Sequence, residues 1–577
     1  MTNTNTLDTL ATVEQSIRLV EAGCEYVRIT AQGMKEAENL SRIKRELLVR
    51  GCKVPLIADI HFNPVVAETA ARIVEKIRIN PGNYVDKKRF EKKDYTESEY
   101  LEEIDKIRER ISPLIKICKE YGTAMRIGTN HGSLSDRILS RYGDTPRGMV
   151  ESAMEFISIC EDLGYFNIVL SMKASNIRVM VEAYRLLVHT MMKKGMDYPL
   201  HLGVTEAGSG EEGRIKSAVG IGTLLEDGIG DTIRVSLTEI PEEEIPVAKL
   251  LVGRYVNRNY HGITENIDNS PVNPFDFHKR FTTGTGNIGK GADPVVITGS
   301  DSIDDNKNSD YIFFKNISVQ FTNKNYGSIV EKGFWNTNEE NLFPLFNVAN
   351  YFKTKKKSAD KNFVQVSSSE LTPAFIEKVK KDHSVVLVFE TKEMNAASAL
   401  RKMFFDLIAA HCKCPVIIRR HYENVTEEEF KIYASTDIGL LMADGLGDGI
   451  WLEADGVKRE TVERISFNIL QAAGARIYKT EFISCPTCGR TSYNILETME
   501  HIKQFTGHLK GLKIAIMGCV VNGPGEMADA DYGYVGSMEG KINLYKGKAL
   551  VRRNVDEQNA LDTLISLIKE NGDWVDE

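Results

Sequence analysis

The sequence predicts an α/β protein whose N-terminal part is a TIM-type (β/α)8 barrel. Residues 17–256 alternate between short apolar runs and amphipathic helical stretches, a pattern typical of a parallel sheet covered by helices. The number of these repeated units favours a barrel over an open sheet. The apolar runs also end in polar or charged residues, and in a barrel such strand ends meet at one mouth.

Seven barrel strands are predicted, at residues 25–30, 54–60, 76–80, 123–128, 167–171, 199–204 and 232–236. Helices are predicted between them, among others at residues 11–22, 97–121 and 146–163. A (β/α)8 barrel needs eight strands, and this sequence opens with a polar run directly before its first helix. We therefore expect the first strand to be missing from it.

Polar side chains at or just beyond the strand ends are the candidate site residues. They are Arg28, Asp59, His61, Arg78, Asn80, Arg126, Asn130, Ser171, Lys173, Glu206, Arg234 and Ser236. One arginine at a strand end is usually part of an ion pair, but five cations around one mouth repel one another unless an anion lies among them. A diphosphate is the expected anion, because guanidinium groups bind phosphate oxygens in pairs. Glu206 is either a salt-bridge partner of the arginines or a proton donor to the ligand.

With 577 residues the chain should hold more than one domain. We place the barrel at residues 1–256, an inserted α/β domain at 257–469 and a C-terminal α+β domain at 470–577. The insert begins with an Asn-, Asp-, Gly- and Thr-rich stretch at 257–310, which is typical of a linker.

An internal repeat links the insert to the barrel, because residues 221–236 match residues 438–453 at a fixed offset. Trp451 and Glu453 stand where the first copy has Arg234 and Ser236, so the phosphate-binding groups are replaced. The insert is therefore interpreted as a partial, degenerate barrel kept for structure. Its Cys412 and Cys414 are interpreted as packing residues, since free cysteine is commonly buried.

The C-terminal domain carries the sequence's clearest motif. Cys485 and Cys488 are separated by two residues, and Cys519 follows about thirty residues on, after a predicted strand at 513–518. A turn predicted at 522–525 would return Glu526 to the same region. Further strands are predicted near 531–534, 541–545 and 549–551, with helices at 493–505 and 556–571.

Two kinds of metal site fit three cysteines in this arrangement. Structural zinc is usually held by four closed Cys or His ligands, and the sequence has no second close pair. A carboxylate beside three thiolates suits an iron–sulfur cluster in which one iron keeps an exchangeable ligand. The spacing favours iron–sulfur and leaves zinc open.

Composition excludes several other classes of protein. A net charge of -8 argues against nucleic acid as the main partner. No apolar run approaches ~18 residues, so no membrane span is expected. No secretory signal is visible, and nine cysteines scattered singly fit a reducing cytoplasm better than a disulfide framework.

Taken together, the motifs resemble those of the 4-hydroxy-3-methylbut-2-enyl diphosphate synthase family of the non-mevalonate isoprenoid pathway. The resemblance rests on residues 485–488 and 518–526, and in the barrel on 58–62, 78–83, 204–208 and 216–222. The large insert resembles the three-domain form of that family.

The resemblance implies reductive ring opening and dehydration of 2-C-methyl-D-erythritol 2,4-cyclodiphosphate, with two electrons from reduced ferredoxin or flavodoxin. It implies a [4Fe–4S] cluster held by Cys485, Cys488, Cys519 and Glu526, and Glu206 as the proton source. The implied substrate-binding residues are Arg28, Asp59, Arg78, Arg126, Asn130, Lys173, Arg234, Ser236 and Asn522.

The resemblance also implies that the barrel and the cluster domain close on each other, which in the family can occur between subunits of a homodimer. Two other functions stay open from the residues alone. One is a phosphate-binding lyase with a structural zinc domain, and the other is an iron–sulfur sensor that binds a phosphorylated metabolite without turnover.

Overall fold

The computed structural model describes most of the chain. It leaves out residues 61–62, 86–93, 257–269, 301–307, 316–325, 337–338, 487–490, 521–522, 528 and 577, and the side chains of residues 524 and 526. The described residues form two compact units. Unit 1 comprises residues 1–217, 227–249 and 479–577, and unit 2 comprises residues 218–226 and 250–478. Each unit is described by itself.

The N-terminal part of unit 1 contains seven parallel strands, as the sequence predicts. Five of them form one sheet in chain order: β1 Val27–Thr30, β2 Leu56–Asp59, β3 Lys76–Ile79, β4 Ala124–Asn130 and β5 Ile168–Lys173. The other two pair with each other: β6 His201–Leu202 and β7 Thr232–Ile233. A bridge between Leu170 and Leu200 joins the two sheets.

Helices alternate with these strands along the chain, and the last parts of the final two belong to unit 2. They are α1 Thr9–Ala22, α2 Met34–Val49, α3 Pro64–Ala71, α4 Pro81–Tyr84, α5 Glu97–Tyr121, α6 Asp136–Tyr142, α7 Pro146–Asp162, α8 Ile177–Lys194, α9 Gly210–Glu226 and α10 Glu244–Val256. The predicted bounds of α5, residues 97–121, are confirmed. Both ends of this helix carry clear capping residues. Thr96 and Glu99 form a capping box at its start, and Gly122 ends it in the left-handed conformation.

Unit 2 contains a closed barrel of eight parallel strands. They are β8 Val295–Ser300, β9 Tyr311–Phe314, β10 Gly327–Glu331, β11 Leu342–Asn347, β12 Asn362–Val366, β13 Val385–Glu390, β14 Val416–Tyr422 and β15 Gly449–Ala454. Its helices are α11 Val348–Lys353, α12 Pro373–Val379, α13 Ala396–Ala409, α14 Glu427–Ala443 and α15 Arg459–Ala472. The prediction of a partial barrel was wrong, because the eight strands form a closed barrel. The prediction of a linker at 257–310 was wrong for the residues of β8, which lies within that range.

The two copies of the sequence repeat form the same pair of elements, the end of a helix and the strand that follows it. Residues 438–453 form the end of α14 and most of β15, as residues 221–236 form the end of α9 and β7. Glu453 accepts hydrogen bonds from the Arg419 guanidinium, with the shorter one at 2.7 Å. That guanidinium also lies 4.1 Å from the centre of the Trp451 ring. An ion pair on an aromatic ring therefore occupies the position that corresponds to Arg234 and Ser236. Cys412 and Cys414 are buried, as predicted.

The C-terminal part of unit 1 is a five-stranded mixed sheet. Its strands, in sheet order, are β16 Glu481–Ser484, β17 Lys513–Met517, β18 Tyr532–Met538, β19 Lys541–Lys546 and β20 Ala549–Asp556. Its helices are α16 Ile495–Thr506, α17 Gly523–Glu526 and α18 Glu557–Glu570. Strands β16 to β18 are parallel, so the loops after β16 and β17 leave the sheet at the same edge. The predicted turn at 522–525 is instead largely the short helix α17.

Among the described residues, no helix combines the length and the apolar character needed to cross a membrane.

Candidate active site at the mouth of the first barrel

One cavity in unit 1 is lined by both the strand ends of the barrel and the loops of the C-terminal sheet. It encloses about 730 Å³ of empty space, including its opening to solvent. The described residues that line it are Met1, Arg28, Thr30, Asp59, Arg78, Arg126, Asn130, Lys173, Thr205, Glu206, Arg234, Ser236, Cys485, Pro486, Met517, Cys519 and Gly523. A single chain therefore supplies both sides of the cavity.

The structure brings together almost all of the residues that the sequence singles out. All five predicted cations line the cavity, with Asp59, Asn130, Glu206 and Ser236. Asn80 and Ser171 are buried beside it but do not line it. His61 and Asn522 lie outside the described residues.

Arg78 is held in place by groups on two neighbouring strands. Its guanidinium donates to the carbonyl oxygen of Gly128 at 2.9 Å and to Asn130 Oδ1 at 3.2 Å. It also lies 3.5 Å from Asp59 Oδ1. The strand register explains this arrangement, because Asp59 pairs with Arg78, and Arg78 with Arg126. Three charged residues thus lie side by side on adjacent strands.

Two glycines, Gly128 in β4 and Gly203 directly after β6, make room for the cations. A Cβ atom at Gly128 would lie 2.6 Å from Arg78 Nε, and one at Gly203 would lie 2.7 Å from Lys173 Nζ. Both distances are shorter than any tolerated contact, so a larger residue would displace the cation. The charged ends of Arg78 and Lys173 therefore lie against glycines, where no neighbouring side chain obstructs them.

Burial and mutual repulsion weaken the protonation of several of these cations. Burial, with Arg126 and Arg28 nearby, holds the pKa of Lys173 well below its usual value. Burial also lowers the pKa of Arg126 well below its usual value, and that of Arg28 to about 10. An anion bound among these groups would offset their mutual repulsion and favour their protonated forms. The cavity is thus electrostatically prepared for a ligand of high negative charge.

Arg234 and Arg28 have different local partners. Arg234 forms a bidentate pair with Glu244, at 3.0 and 3.1 Å. The surrounding cations, Arg234 first, outweigh burial and lower the pKa of Glu244. Arg28 donates to the sulfur of Met1, with the shorter distance at 2.9 Å. A thioether is a weak acceptor, so Arg28 retains most of its capacity for an anionic ligand.

Glu206 is buried at the cavity wall in an uncommon backbone conformation. Its φ angle is 48°, in the left-handed region that side chains other than glycine seldom adopt. Such conformations persist where the surrounding structure enforces them, and they cluster at functional sites.

Cys485 and Cys519 face the same cavity from the carboxyl ends of β16 and β17. The amide of Gly518 donates to Cys485 Sγ at 3.2 Å. Tyr493 lies against the same loop and donates to the carbonyl oxygen of Met517 at 3.2 Å. Burial, followed by the charges of Cys485, Tyr534, Glu557 and Cys519, raises the pKa of Tyr493 well above its usual value.

The described residues fit an iron–sulfur cluster. Two thiol groups reach one cavity from adjacent parallel strands, and one already accepts an amide hydrogen bond of the kind that stabilises cluster sulfurs. Cys488 and the Glu526 side chain lie outside the described part of the chain. Within the described part, no three His, Cys, Asp or Glu residues gather as metal ligands. The backbone of Glu526 ends α17, which begins at the cavity residue Gly523.

Sequence reasoning missed several cavity residues, of which Thr30 is the most informative. Its hydroxyl is buried and has no hydrogen-bond partner among the described residues. Thr30 ends β1 and pairs with Asp59. Thr30 is also the last residue of the predicted strand at 25–30. The rule that selected Ser171 and Ser236, a polar side chain at a strand end, therefore applies to Thr30, but only Arg28 was taken from that strand.

Fold and site together define a class: a barrel enzyme that binds an anionic ligand in a cationic mouth closed by a cysteine-bearing domain. Comparisons with known proteins give the family. Residues 1–249 match the model of the GcpE TIM-barrel domain, and residues 481–570 match the GcpE protein C-terminal domain.

Similar proteins of known name extend over the whole chain. The chain is 50% identical to 4-hydroxy-3-methylbut-2-en-1-yl diphosphate synthase (flavodoxin) of Parabacteroides distasonis, covering 100% of this chain and 95% of the relative. It is 48% identical to the enzyme of the same name from Phocaeicola vulgatus, with the same coverage. For the Leptospira interrogans enzyme the identity is 42%, over 100% of this chain and 94% of the relative. The chain belongs to the 4-hydroxy-3-methylbut-2-en-1-yl diphosphate synthase family.

One solved structure with a distant likeness is a lyase. Methylaspartate ammonia lyase from Clostridium tetanomorphum has a TM-score of 0.22 and 16% identity, covering 33% of this chain and 38% of that one.

Proposed function

We propose that the chain catalyses reductive ring opening and dehydration of 2-C-methyl-D-erythritol 2,4-cyclodiphosphate to 4-hydroxy-3-methylbut-2-enyl diphosphate. The observation that carries the proposal is that one cavity of a single chain joins five cations to two cysteines. Family membership and full-length identity with the named synthases support the same reaction. The zinc lyase and the sensor are not favoured by these comparisons.

The cations would bind and orient the diphosphate. Arg78, Arg126 and Lys173 lie on adjacent strands, so they can contact oxygens of both phosphates. Arg28, Arg234 and Ser236 would bind from the opposite side of the mouth. Asp59 and Asn130 hold the Arg78 guanidinium, and Asn522 is a further proposed contact. Binding fixes the ring against the cysteine-bearing wall, which lowers the entropic cost of reaction.

The reaction breaks the ring bond from carbon to a diphosphate oxygen, and a hydroxyl oxygen leaves as water. Two electrons enter, and protons accompany the departing oxygen. Glu206 would donate a proton to that hydroxyl, because it lines the cavity and the residue after it pairs with Ser484, which directly precedes Cys485.

A [4Fe–4S] cluster, held by Cys485, Cys488, Cys519 and Glu526, would supply the electrons and a site for a substrate oxygen. Around it the chain's own residues donate hydrogen bonds to sulfur and exclude water. The Gly518 amide would do the former. Met517 and Pro486 line the cavity, and Tyr493 packs against the same core cluster as Cys485.

Flavodoxin is the proposed electron donor, since it appears in the names of the relatives. A homodimer is not required for the proposed chemistry, because one chain provides both sides of the cavity. A cytoplasmic location, which the cysteine usage predicts, belongs to the same proposal.

The test is anaerobic turnover by the full chain with reduced flavodoxin. We expect reductant-dependent consumption of the cyclodiphosphate, a brown protein, and iron and sulfide in equal amounts. In Glu206→Gln, turnover should fall by about 10² or more, while calorimetry still detects substrate binding. A colourless protein with one tightly bound zinc would overturn the proposal. Normal turnover in Glu206→Gln would overturn only the role of that residue.

A further inference from the structure

Two buried hydroxyl groups join the barrel to the cysteine-bearing sheet directly beside the site. Thr238 Oγ1 and Ser484 Oγ are 2.7 Å apart, and both side chains are almost fully buried. Thr238 Oγ1 is also 3.3 Å from the carbonyl oxygens of Ser484 and Cys485. The contact connects the segment after β7 with the end of β16.

A backbone bridge lies next to these hydroxyls. Ala207, in the loop after β6, and Ser484, at the end of β16, pair as an isolated parallel β-bridge. The amide of Thr238 donates to the carbonyl oxygen of Gly208 at 2.9 Å. Thr238 therefore contacts one bridge partner, Ser484, through its side chain, and Gly208, the neighbour of the other partner Ala207, through its backbone.

The bridge has the proposed proton donor on one side and a proposed cluster ligand on the other. Glu206 precedes Ala207, and Cys485 follows Ser484. Glu206 adopts φ 48°, a conformation that needs support from its surroundings. The paired Ala207 and the hydrogen-bonded Gly208 supply that support from the next two residues along the chain.

We propose that Thr238 and Ser484 are positioning residues that fix the Glu206 carboxyl relative to the Cys485 thiolate. The proposal rests on the proposed function, in which Glu206 donates a proton. The hydroxyl pair holds the bridge, the bridge holds Glu206 in its left-handed conformation, and the carboxyl is thereby presented to the ligand at a set distance from Cys485.

Other contacts between the two parts of unit 1 have a different character. Lys216 pairs with Glu481 at 2.8 Å, and Glu212 pairs with Lys479 and with Lys503. They are ion pairs rather than hydroxyl contacts, and Glu212, Lys479 and Lys503 are partly exposed whereas Lys216 is buried. None of these pairs involves residues 206–208, so orientation of the Glu206 carboxyl is assigned to the hydroxyl pair.

The experiment compares Thr238→Val with a matched control in the full holoenzyme. Thr123→Val is the control, because Thr123 is equally buried, donates to the carbonyl oxygen of Ala71 at 2.6 Å, and lies at the far end of the barrel. For Thr238→Val we expect kcat to fall by roughly 10–100-fold with little change in KM, since small misplacements of reacting groups have effects of this size. Thr238→Ser should restore most of kcat.

Three further measurements separate positioning from general damage. In Thr238→Val, hydrogen exchange should quicken at residues 206–208, while the electron paramagnetic resonance spectrum of the reduced, substrate-free enzyme stays unchanged. In Thr123→Val neither should change. Adding Thr238→Val to Glu206→Gln should cause little further loss, because residues that act through one another are not additive.

Additive losses in the double variant, or normal kcat in soluble Thr238→Val, would overturn the inference. If Thr238→Val does not fold, Ser484→Ala tests the same hydrogen bond from its other end, and normal kcat there is equally decisive. A fully active Glu206→Gln would instead overturn the proton-donor role in the proposed function.

Discussion

Thr30 is a cavity residue whose hydroxyl the described part of the protein leaves without a hydrogen bond. Its hydroxyl is buried at the end of β1 and has no hydrogen-bond partner within the described part of the chain. A buried polar group without a partner is costly, so a ligand oxygen is the expected partner. For Thr30→Val we expect KM to rise about 5-fold, the effect of losing about 1 kcal/mol, with little change in kcat.

Thermal stability of the ligand-free protein provides the control for Thr30. The substitution removes a polar group that the fold leaves unpaired, so the melting temperature should not fall. Thr30→Ser keeps the hydroxyl and should keep KM near its original value. A lowered melting temperature together with an unchanged KM would show that Thr30 serves the fold rather than the ligand.

We expect Lys173 to make ligand binding dependent on pH. Its pKa lies well below the usual 10.5 because of burial and the nearby arginines. A bound diphosphate raises that pKa, so the complex takes up protons and affinity should decrease as pH rises through the interval between the two pKa values. Without ligand the sign is opposite: the native state binds fewer protons than the unfolded chain, so Lys173 makes stability rise with pH up to about 10.5.

Calorimetry with inorganic pyrophosphate measures this linkage. In the wild-type protein the observed heat should vary with the ionisation enthalpy of the buffer, which reports proton uptake. Lys173→Met should bind more weakly and lose most of that variation. Proton release on binding, or equal uptake in both proteins, would contradict the assignment.

At the scale of elements, the barrel strands could be predicted from the sequence because a polar or charged residue marks the end of each apolar run. Each apolar run leads into a polar residue such as Asp59 or Lys173, and the structure confirms that these ends share one cavity. The motif around Cys485 and Cys519 likewise marked the ends of β16 and β17. The order of apolar and polar residues was enough to predict a site residue wherever that residue directly follows its strand in the sequence.

Features that depend on distant pairing were not visible in the sequence. Strand β8 lies in a stretch whose Asn, Gly and Thr content resembles a linker, and only barrel closure against β9 and β15 identifies it as a strand. The hydroxyl contact between Thr238 and Ser484 joins residues 246 positions apart. Neither residue type marks a site by itself.

Helix α17 is positioned by a close approach that only glycine permits. A Cβ atom at Gly525 would lie 2.9 Å from the carbonyl oxygen of Gly132, in the loop after β4. Gly525→Ala should therefore push α17 away from the barrel mouth and lower kcat about 10-fold or more. Gly253→Ala is the control, since a methyl group there meets no atom within 4 Å. Anaerobic turnover of both variants is the measurement, and equal rates would refute the close approach.

At the scale of the whole molecule, the two barrels have diverged in the same place. The mouth of the first gathers five cations around a cavity, whereas Arg419 of the second is neutralised by Glu453 and stacked on Trp451. The second barrel has a continuous core of aromatic and aliphatic side chains. That the second barrel is retained for its structure stays a prediction from the sequence.

A buried carboxylate in unit 2 accepts hydrogen bonds from three side chains of that unit. Asp437 on α14 is fully buried and accepts hydrogen bonds from Arg254, from Arg420 at 3.2 Å and from Tyr422 at 3.0 Å. Removing one partner of a buried ion pair leaves uncompensated charge and typically costs about 3–5 kcal/mol. Asp437→Asn should therefore destabilise unit 2 by an amount of that order. The exposed pair of Glu377 and Lys380 provides the control, because Glu377→Gln should cost at most about 1 kcal/mol.

Hydrogen exchange read by mass spectrometry can assign the loss to one unit. In Asp437→Asn we expect faster exchange in peptides from β14, α14 and β15, and unchanged exchange in β3 to β5, because each unit has its own core and opens with its own free energy. Glu377→Gln should change neither set. A uniform increase across both units in Asp437→Asn would mean that the chain unfolds as one cooperative body, and Asp437 would then contribute to the stability of the active-site barrel as well.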